Sequence, residues 1–210
     1  MTAKHLTWIV NVSLVALLAS VLTLAWHRWR DTEPKHGGMP DKHGGMPDAI
    51  AEPTPEDGVE LMLELAQITK DDVLYDLGCG DGRFLTTAAK KYGCKAHGVD
   101  IEPAAIAGTL LSIKKHGVES LVTVQEQDLF TLDLRPASVV TFYLLPHINA
   151  KLIPQLEQMK PGCRIVSYMF EIPGIKPTKV VQLPDRDYAK RFVYLWITPL
   201  EREPEKASAD

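Results

Sequence analysis

Gly78-Cys-Gly-Asp-Gly82 follows directly on the short apolar run Val73-Leu-Tyr-Asp-Leu77. A strand, a glycine turn and a helix-compatible stretch from Phe84 to Lys91 make a unit that contributes to ligand sites at the carboxyl ends of strands in open α/β sheets. Glycine in such a turn permits positive φ and a close approach of backbone to ligand. The spacing G-x-G-x-G departs from the G-x-G-x-x-G that places a pyrophosphate on a helix N-terminus, and the Lys-Ser/Thr ending of a phosphate-binding loop is missing. Asp76 and Asp81 flank and interrupt the turn. Two carboxylates there would repel a pyrophosphate and suit a ligand that carries positive charge. Asp100, eighteen residues after Gly82, falls at the end of the next strand, where an acid can bond both hydroxyls of a ribose. Asp128 follows the third strand and can accept from an adenine amino group, although it also reads as an ordinary turn or cap aspartate. The order of these acids after the turn fits an adenosine-containing cation without phosphates.

The elements that must position these groups are readable from periodicity. Thr54-Pro-Glu-Asp57 looks like a helix start, with Thr54 as N-cap, Pro55 at the first helical position and a helix over 56–67. Strands are expected at Val73–Leu77, Ala96–Val99, Val122–Gln125, Ser138–Tyr143 and Arg164–Met169, with helices over Phe84–Lys91, Pro103–His116 and Asn149–Met159. Such alternation implies a Rossmann-like α/β fold, a mostly parallel sheet covered on both faces. Lys179–Leu183 and Phe192–Ile197 are strand-like with no helix between them, only Pro184-Asp-Arg-Asp-Tyr188, so they form a C-terminal antiparallel pair. The expected sheet has seven strands, and the polar residues 201–210 are expected to fray.

The 210 residues hold this one domain, taken as 54–200, with some chain left over. From Trp8 to Trp26 no residue is charged, and at about 1.5 Å per helical residue the run reaches roughly 30 Å, one hydrocarbon core. Residues 1–30 are therefore expected to be a single-pass membrane anchor, bracketed by Trp8, Trp26 and Trp29, with a cleaved signal peptide as the competing reading. Arg28, Arg30, Lys35 and Lys42 outnumber Lys4 and the amino terminus, which places the folded domain on the cytoplasmic side. Residues 31–53 form a Gly/Pro-rich linker with a perfect tandem repeat, Lys35-His-Gly-Gly-Met-Pro-Asp41 and Lys42-His-Gly-Gly-Met-Pro-Asp48. His36, Met39, His43 and Met46 could ligate a soft metal ion. A flexible spacer is the plainer reading, and no metal site is assigned. From Pro53 onward 18 Lys and Arg stand against 22 Asp and Glu, a net charge of −4, which gives no basic footprint for nucleic acid. Three cysteines, Cys79, Cys94 and Cys163, form neither a disulfide framework nor a metal-ligand spacing.

At Tyr75-Asp-Leu-Gly-Cys-Gly-Asp-Gly-Arg83 the sequence resembles the first motif of the class I S-adenosylmethionine-dependent methyltransferases. Val99-Asp100 is similar to that superfamily's ribose acid, and Gln127-Asp128-Leu129-Phe130 to its adenine segment. The resemblance implies S-adenosyl-L-methionine as cofactor. It puts Asp76, Gly78, Gly80 and Gly82 on the methionine side and Asp100 and Asp128 on the adenosine side, and adds Thr54, Tyr75, Cys79, Asp81, Ile101 and Leu129 as cofactor-binding residues. Pro53-Thr-Pro55, the full first motif and Pro161-Gly-x-Arg-Ile-Val166 narrow the resemblance to small membrane-tethered protein-lysine methyltransferases of mitochondria and their bacterial relatives.

Methyl transfer from a sulfonium asks the protein to align two atoms and exclude water, so no catalytic triad is expected and no base is named. Thr141-Phe-Tyr-Leu-Leu-Pro146 stands where an Asn-Pro-Pro-aromatic segment would mark many amide or base N-methyltransferases. Tyr143 and His147 are candidates to shape the acceptor channel, against plainer readings as a buried tyrosine and a surface-loop histidine. The expected substrate is a membrane-associated protein carrying a lysine, met at the bilayer that residues 8–26 enter. A lipid- or quinone-like small molecule, or a non-catalytic donor-binding module, are the alternatives.

Overall fold

Apolar runs such as Val139–Phe142 give neither face to water, so a sheet containing them must be covered on both sides. The computed structural model describes residues 52–186 and 189–204, within a compact unit that spans Asp48–Asp210. Along the chain come α1 (Glu56–Leu65), β1 (Val73–Leu77), α2 (Arg83–Tyr92), β2 (Lys95–Asp100), α3 (Pro103–His116) and β3 (Val122–Glu126). A 3-10 turn (Leu129–Thr131), β4 (Val139–Phe142), α4 (Pro146–Leu156), β5 (Arg164–Tyr168), β6 (Lys179–Arg186) and β7 (Ala189–Ile197) complete it. The seven strands lie in the order β3-β2-β1-β4-β5-β7-β6. The first five are parallel, and β7 runs antiparallel to both β5 and β6.

Two cores result, one on each face. Leu74, Val139 and Val166 meet Met62, Leu63, Leu85 and Ala88 of α1 and α2. Leu77, Val140, Ile165 and Trp196 meet Ile148, Leu152 and Leu156 of α4. Below the sheet, buried Asp72 accepts from Ser138 Oγ at 2.7 Å and from the Thr69 amide at 2.8 Å, and pairs with Arg164. That group of bonds joins β1, β4 and β5 at the end opposite the glycine turn.

Four expectations change. Pro55, not Thr54, is the N-cap of α1, since its φ of −57° and ψ of 153° leave it outside the helix. Residues 146–148, expected in a loop, already belong to α4: Leu145 is the cap, and Pro146 takes the first position, where its missing N–H is no loss. The loop expected at 184–188 is shorter, because β6 runs on to Arg186 through a register shift after Leu183, a bulge of the kind that lets an edge strand carry Pro184. The tail does not fray from 201. Ile175 bridges Arg202, and the Glu203 amide donates to the Gly174 carbonyl at 3.0 Å. The anchor expected at 8–26 and the tandem repeat lie outside the described residues. Among the described residues, no helix is long and apolar enough to cross a membrane.

Strand β2 passes under the glycine turn at Gly98, where a Cβ would stand 2.5 Å from Leu85 Cδ1 and 2.9 Å from Cys79 Cβ. Gly98→Ala is therefore expected to lower stability by about 1–3 kcal/mol in urea unfolding, through overpacking. Leu85→Val in the same chain should recover part of that loss.

Candidate functional site

The turn after β1 has three left-handed residues, Gly78, Gly80 and Gly82, with φ of 74°, 54° and 75°. An L side chain rarely adopts that conformation, so glycine is required by the path of the chain. Gly82 is doubly constrained, since a Cβ would come within 2.7 Å of Thr109 Cγ2. The amides of Gly78 and Cys79 donate to the Val99 carbonyl at 2.9 and 3.0 Å, and Thr109 Oγ1 donates to the Gly80 carbonyl at 2.8 Å. The turn is thus bound to the end of β2 and to α3. Cys79 is buried beneath it, and burial pushes its thiol pKa well up, which keeps it protonated.

Asp76 is buried at the end of β1 and accepts from Thr141 Oγ1 of neighbouring β4 at 2.7 Å. Burial pushes its carboxyl up to about 8; the Thr141 bond opposes the rise, and the charges of Asp100 and Asp81 add to it. A cation brought next to this carboxyl would stabilise its charged form.

Asp100 ends β2. Its Oδ2 accepts from the Gly80 amide at 2.9 Å and its Oδ1 from the Glu102 amide at 3.0 Å. These bonds fix the carboxylate while leaving acceptor capacity on both oxygens, which suits a ribose diol. Ile101 beside it is 67% exposed, an apolar side chain held out where an adenine face can cover it. Asp128 caps the 3-10 turn, with Oδ1 accepting from the Phe130 amide at 2.9 Å. The cap reading of Asp128 therefore holds, and its second oxygen keeps its acceptor capacity. Leu129 packs against the core under α4, and Gln155 Nε2 donates to the Leu129 and Leu132 carbonyls at 3.0 and 2.9 Å.

Other expected residues are placed differently. Asp81, expected as a second carboxylate for a cationic ligand, is paired with Arg83: Nε donates to Oδ1 at 2.9 Å and Nη2 to Oδ2 at 2.6 Å. The same guanidinium donates through Nη1 to the Thr54 carbonyl, so Thr54 reaches the turn by its backbone. Tyr75 alternates with Asp76 on β1 and stands on the opposite face, its ring 5.0 Å from that of His97 and packed with the α4-side core. It is not brought to the turn. His147 is exposed in the first turn of α4 rather than in a loop.

Tyr143, the first residue after β4, is partly buried among aromatic rings. Tyr168 meets it edge-to-face at 4.9 Å between centroids, and Phe170 stacks on it at 6.1 Å. Burial pushes its phenol up to about 12, helped by Glu52 and Tyr168. Sequence reading missed Thr109, Thr141, Tyr168 and Phe170, since each looks ordinary in its own element. The available signal was strand order, because residues after β4 and β5 must emerge beside the glycine turn.

A protein-lysine N-methyltransferase of Saccharolobus islandicus is 44% identical over 147 residues, which cover 69% of this chain and 91% of that protein. The chain belongs to the class I S-adenosylmethionine-dependent methyltransferases. Residues 76–179 of the methyltransferase match the ANTKMT methyltransferase domain family. The crystal structure of an RNA methyltransferase from Salinibacter ruber in complex with S-adenosyl-L-homocysteine is 42% identical. It superposes with a TM-score of 0.67 over 74% of this chain and 98% of that one. A Geobacter sulfurreducens methyltransferase structure, 15% identical, shares the fold with a TM-score of 0.56 over 73% of this chain and 94% of that one. S-adenosyl-L-methionine is the methyltransferase's cofactor, and the three left-handed glycines, the buried Asp76 carboxyl and the open acceptors of Asp100 fit it.

Because Asp76 is protonated below about 8, binding a donor with a cationic end expels a proton there. Affinity should fall about tenfold per pH unit as pH drops below that value, and Asp76→Asn should remove the slope. Calorimetry in buffers of different ionisation enthalpy reads both. Free of donor, the folded chain holds this proton between about pH 4 and about 8 while the unfolded chain does not, so stability falls as pH rises through that window. Denaturant titrations of Asp76→Asn should lose that trend.

Proposed function

We propose that the methyltransferase modifies the ε-amine of lysine in a protein, and that this protein is membrane-associated. The observation that carries the lysine reading is the charge of the rim. Glu52, Asp100, Glu102 and Asp128 lie exposed or partly exposed around the cofactor-facing ends of the strands. The neighbouring guanidinium groups of Arg83 and Arg191 are each held by a carboxylate, Asp81 and Asp57. Such a rim attracts an ammonium group and repels phosphates, so RNA, the acceptor named for the Salinibacter relative, is disfavoured. The Saccharolobus relative, a protein-lysine N-methyltransferase, supports the same choice.

In this reading Asp76 faces the cationic methionine end of the donor, Asp100 holds the ribose, Ile101 covers the adenine and Asp128 accepts from its amino group. S-adenosylmethionine supplies an electrophilic methyl: a neutral amine forms the new N–C bond, the S–C bond breaks with its electron pair returning to sulfur, and the product amine's proton leaves to water. The aromatic walls around Tyr143 exclude water and help a lysine reach the neutral state by desolvation. Membrane placement is supported by the uncharged run Trp8–Trp26, and the excess of cations on its C-terminal flank favours the cytoplasmic side for the domain.

With methyl-labelled donor and fractionated cells as acceptor, label is expected in protein, and acid hydrolysis should release it as methyl-lysine. Label confined to RNA or to an organic extract would overturn the lysine reading. Protection of the domain from protease added outside intact cells checks the membrane side.

A further inference from the structure

The donor groups cover only part of the upper sheet edge. With strands ordered β3-β2-β1-β4-β5, Asp128 and Asp100 mark one end, and Asp76 stands at β1. Leu77 lies opposite Phe142, and Phe142 opposite Ser167, so Gly78, Tyr143 and Tyr168 leave the sheet side by side. The carboxyl ends of β4 and β5 therefore carry aromatic rings next to the turn, on the side away from Asp100. A Cβ built on Gly78 would touch Leu144, the residue after Tyr143, at 3.3 Å.

An unusual backbone holds those rings. The Phe170 amide donates to the Tyr168 carbonyl at 2.8 Å across Met169, whose φ is +64°. A three-residue turn with a positive central φ is the rare and strained form. Ser167 Oγ donating to the Phe170 carbonyl at 2.7 Å, and the Met169 amide donating to the Phe192 carbonyl at 2.7 Å, keep it in place. Strain retained where it aims side chains marks a functional locus. Tyr168 is fixed further: its ring lies where a Gly58 Cβ would come within 2.9 Å, and its hydroxyl engages Arg191, which is bound two-pronged to Asp57. Tyr143 differs, for its hydroxyl has no hydrogen-bond partner among the described residues. Glu52, on the segment entering α1, is near enough for its charge to act on Tyr143.

We propose that Tyr143, held between Tyr168 and Phe170, binds and orients the acceptor amine, its ring face and hydroxyl oxygen receiving the lysine nitrogen that Glu52 attracts. The inference rests on the lysine reading above. A ring face attracts an ammonium group electrostatically, and the hydroxyl oxygen accepts one N–H, which leaves the nitrogen lone pair to be directed at the methyl. Tyr168 and Phe170 are positioning residues that act through Tyr143.

The full chain is tested with the cellular protein fraction as acceptor. Tyr143→Phe should lower acceptor kcat/KM about tenfold, the loss expected for one hydrogen bond to a charged or reacting group, with S-adenosylhomocysteine Kd within about twofold of wild type. Glu52→Gln should raise acceptor KM with kcat unchanged, and Tyr168→Phe should retain more activity than Tyr168→Ala. In the chain loaded with S-adenosylhomocysteine, n-butylammonium should shift the Tyr143 ring signals in NMR, whereas n-butanol should not. Wild-type kcat/KM in Tyr143→Phe, a fall matched by an equal loss of donor affinity, or ring signals indifferent to n-butylammonium would each overturn the inference while lysine labelling stands. If wild-type chain labels RNA and no lysine, the lysine reading fails first and the inference with it.

Discussion

A carboxyl group buried at the end of the central strand, with one threonine hydroxyl donating to it, sets the conditions for everything above it. Burial disfavours the charged form of Asp76 and a cation beside it would favour that form, while Thr141, its register partner on β4, holds the carboxyl in place. The turn that closes over it must rise steeply, and the three glycines with positive φ allow this. Thr109 and Val99 then bind the turn to α3 and β2. A rigid, negatively polarised floor of this kind orients a cationic ligand with little reorganisation on binding.

Charge is arranged unevenly above that floor. Asp81, which follows the turn so closely in sequence, is cancelled by Arg83, whereas Asp100 is restrained only by backbone amides. Two neighbouring aspartates therefore have different uses, one joining the turn to the segment before α1 and the other open to a diol. On the far side of β1 the polarity gives way to aromatic rings. A cation can move from the acidic rim onto those faces without losing all its electrostatic stabilisation.

The sheet and the glycine turn were legible because their signals are local. Val73–Leu77 runs into Gly78, and strand and helix alternate at regular spacing through Tyr168. Asp76 and Asp100 followed from position relative to that turn. What escaped reading depended on pairing across the fold. Asp81 needs a view of Arg83's rotamer, and Tyr75 needs the strand's alternation tied to a face. The early start of α4 turned on whether Pro146 ends a loop or opens a helix, and proline is compatible with both. Tyr168 and Phe170 have no local signal at all, since their meeting with Tyr143 is made by strand order.

β7 is the last of the described strands, yet it lies inside the sheet, between β5 and β6. The Tyr168–Phe170 turn is held by Phe192, on that strand, while the glycine turn, Asp76, Asp100 and Asp128 precede residue 130 and Asp76 takes its one side-chain donor, Thr141, from β4. During synthesis the donor half can assemble as its local βαβ contacts form, but the aromatic half waits for the C-terminal hairpin to insert. A nascent chain can thus close the glycine turn over Asp76 before the aromatic turn after β5 has the strand that holds it, so the two halves of this sheet edge have different dependence on the C-terminus.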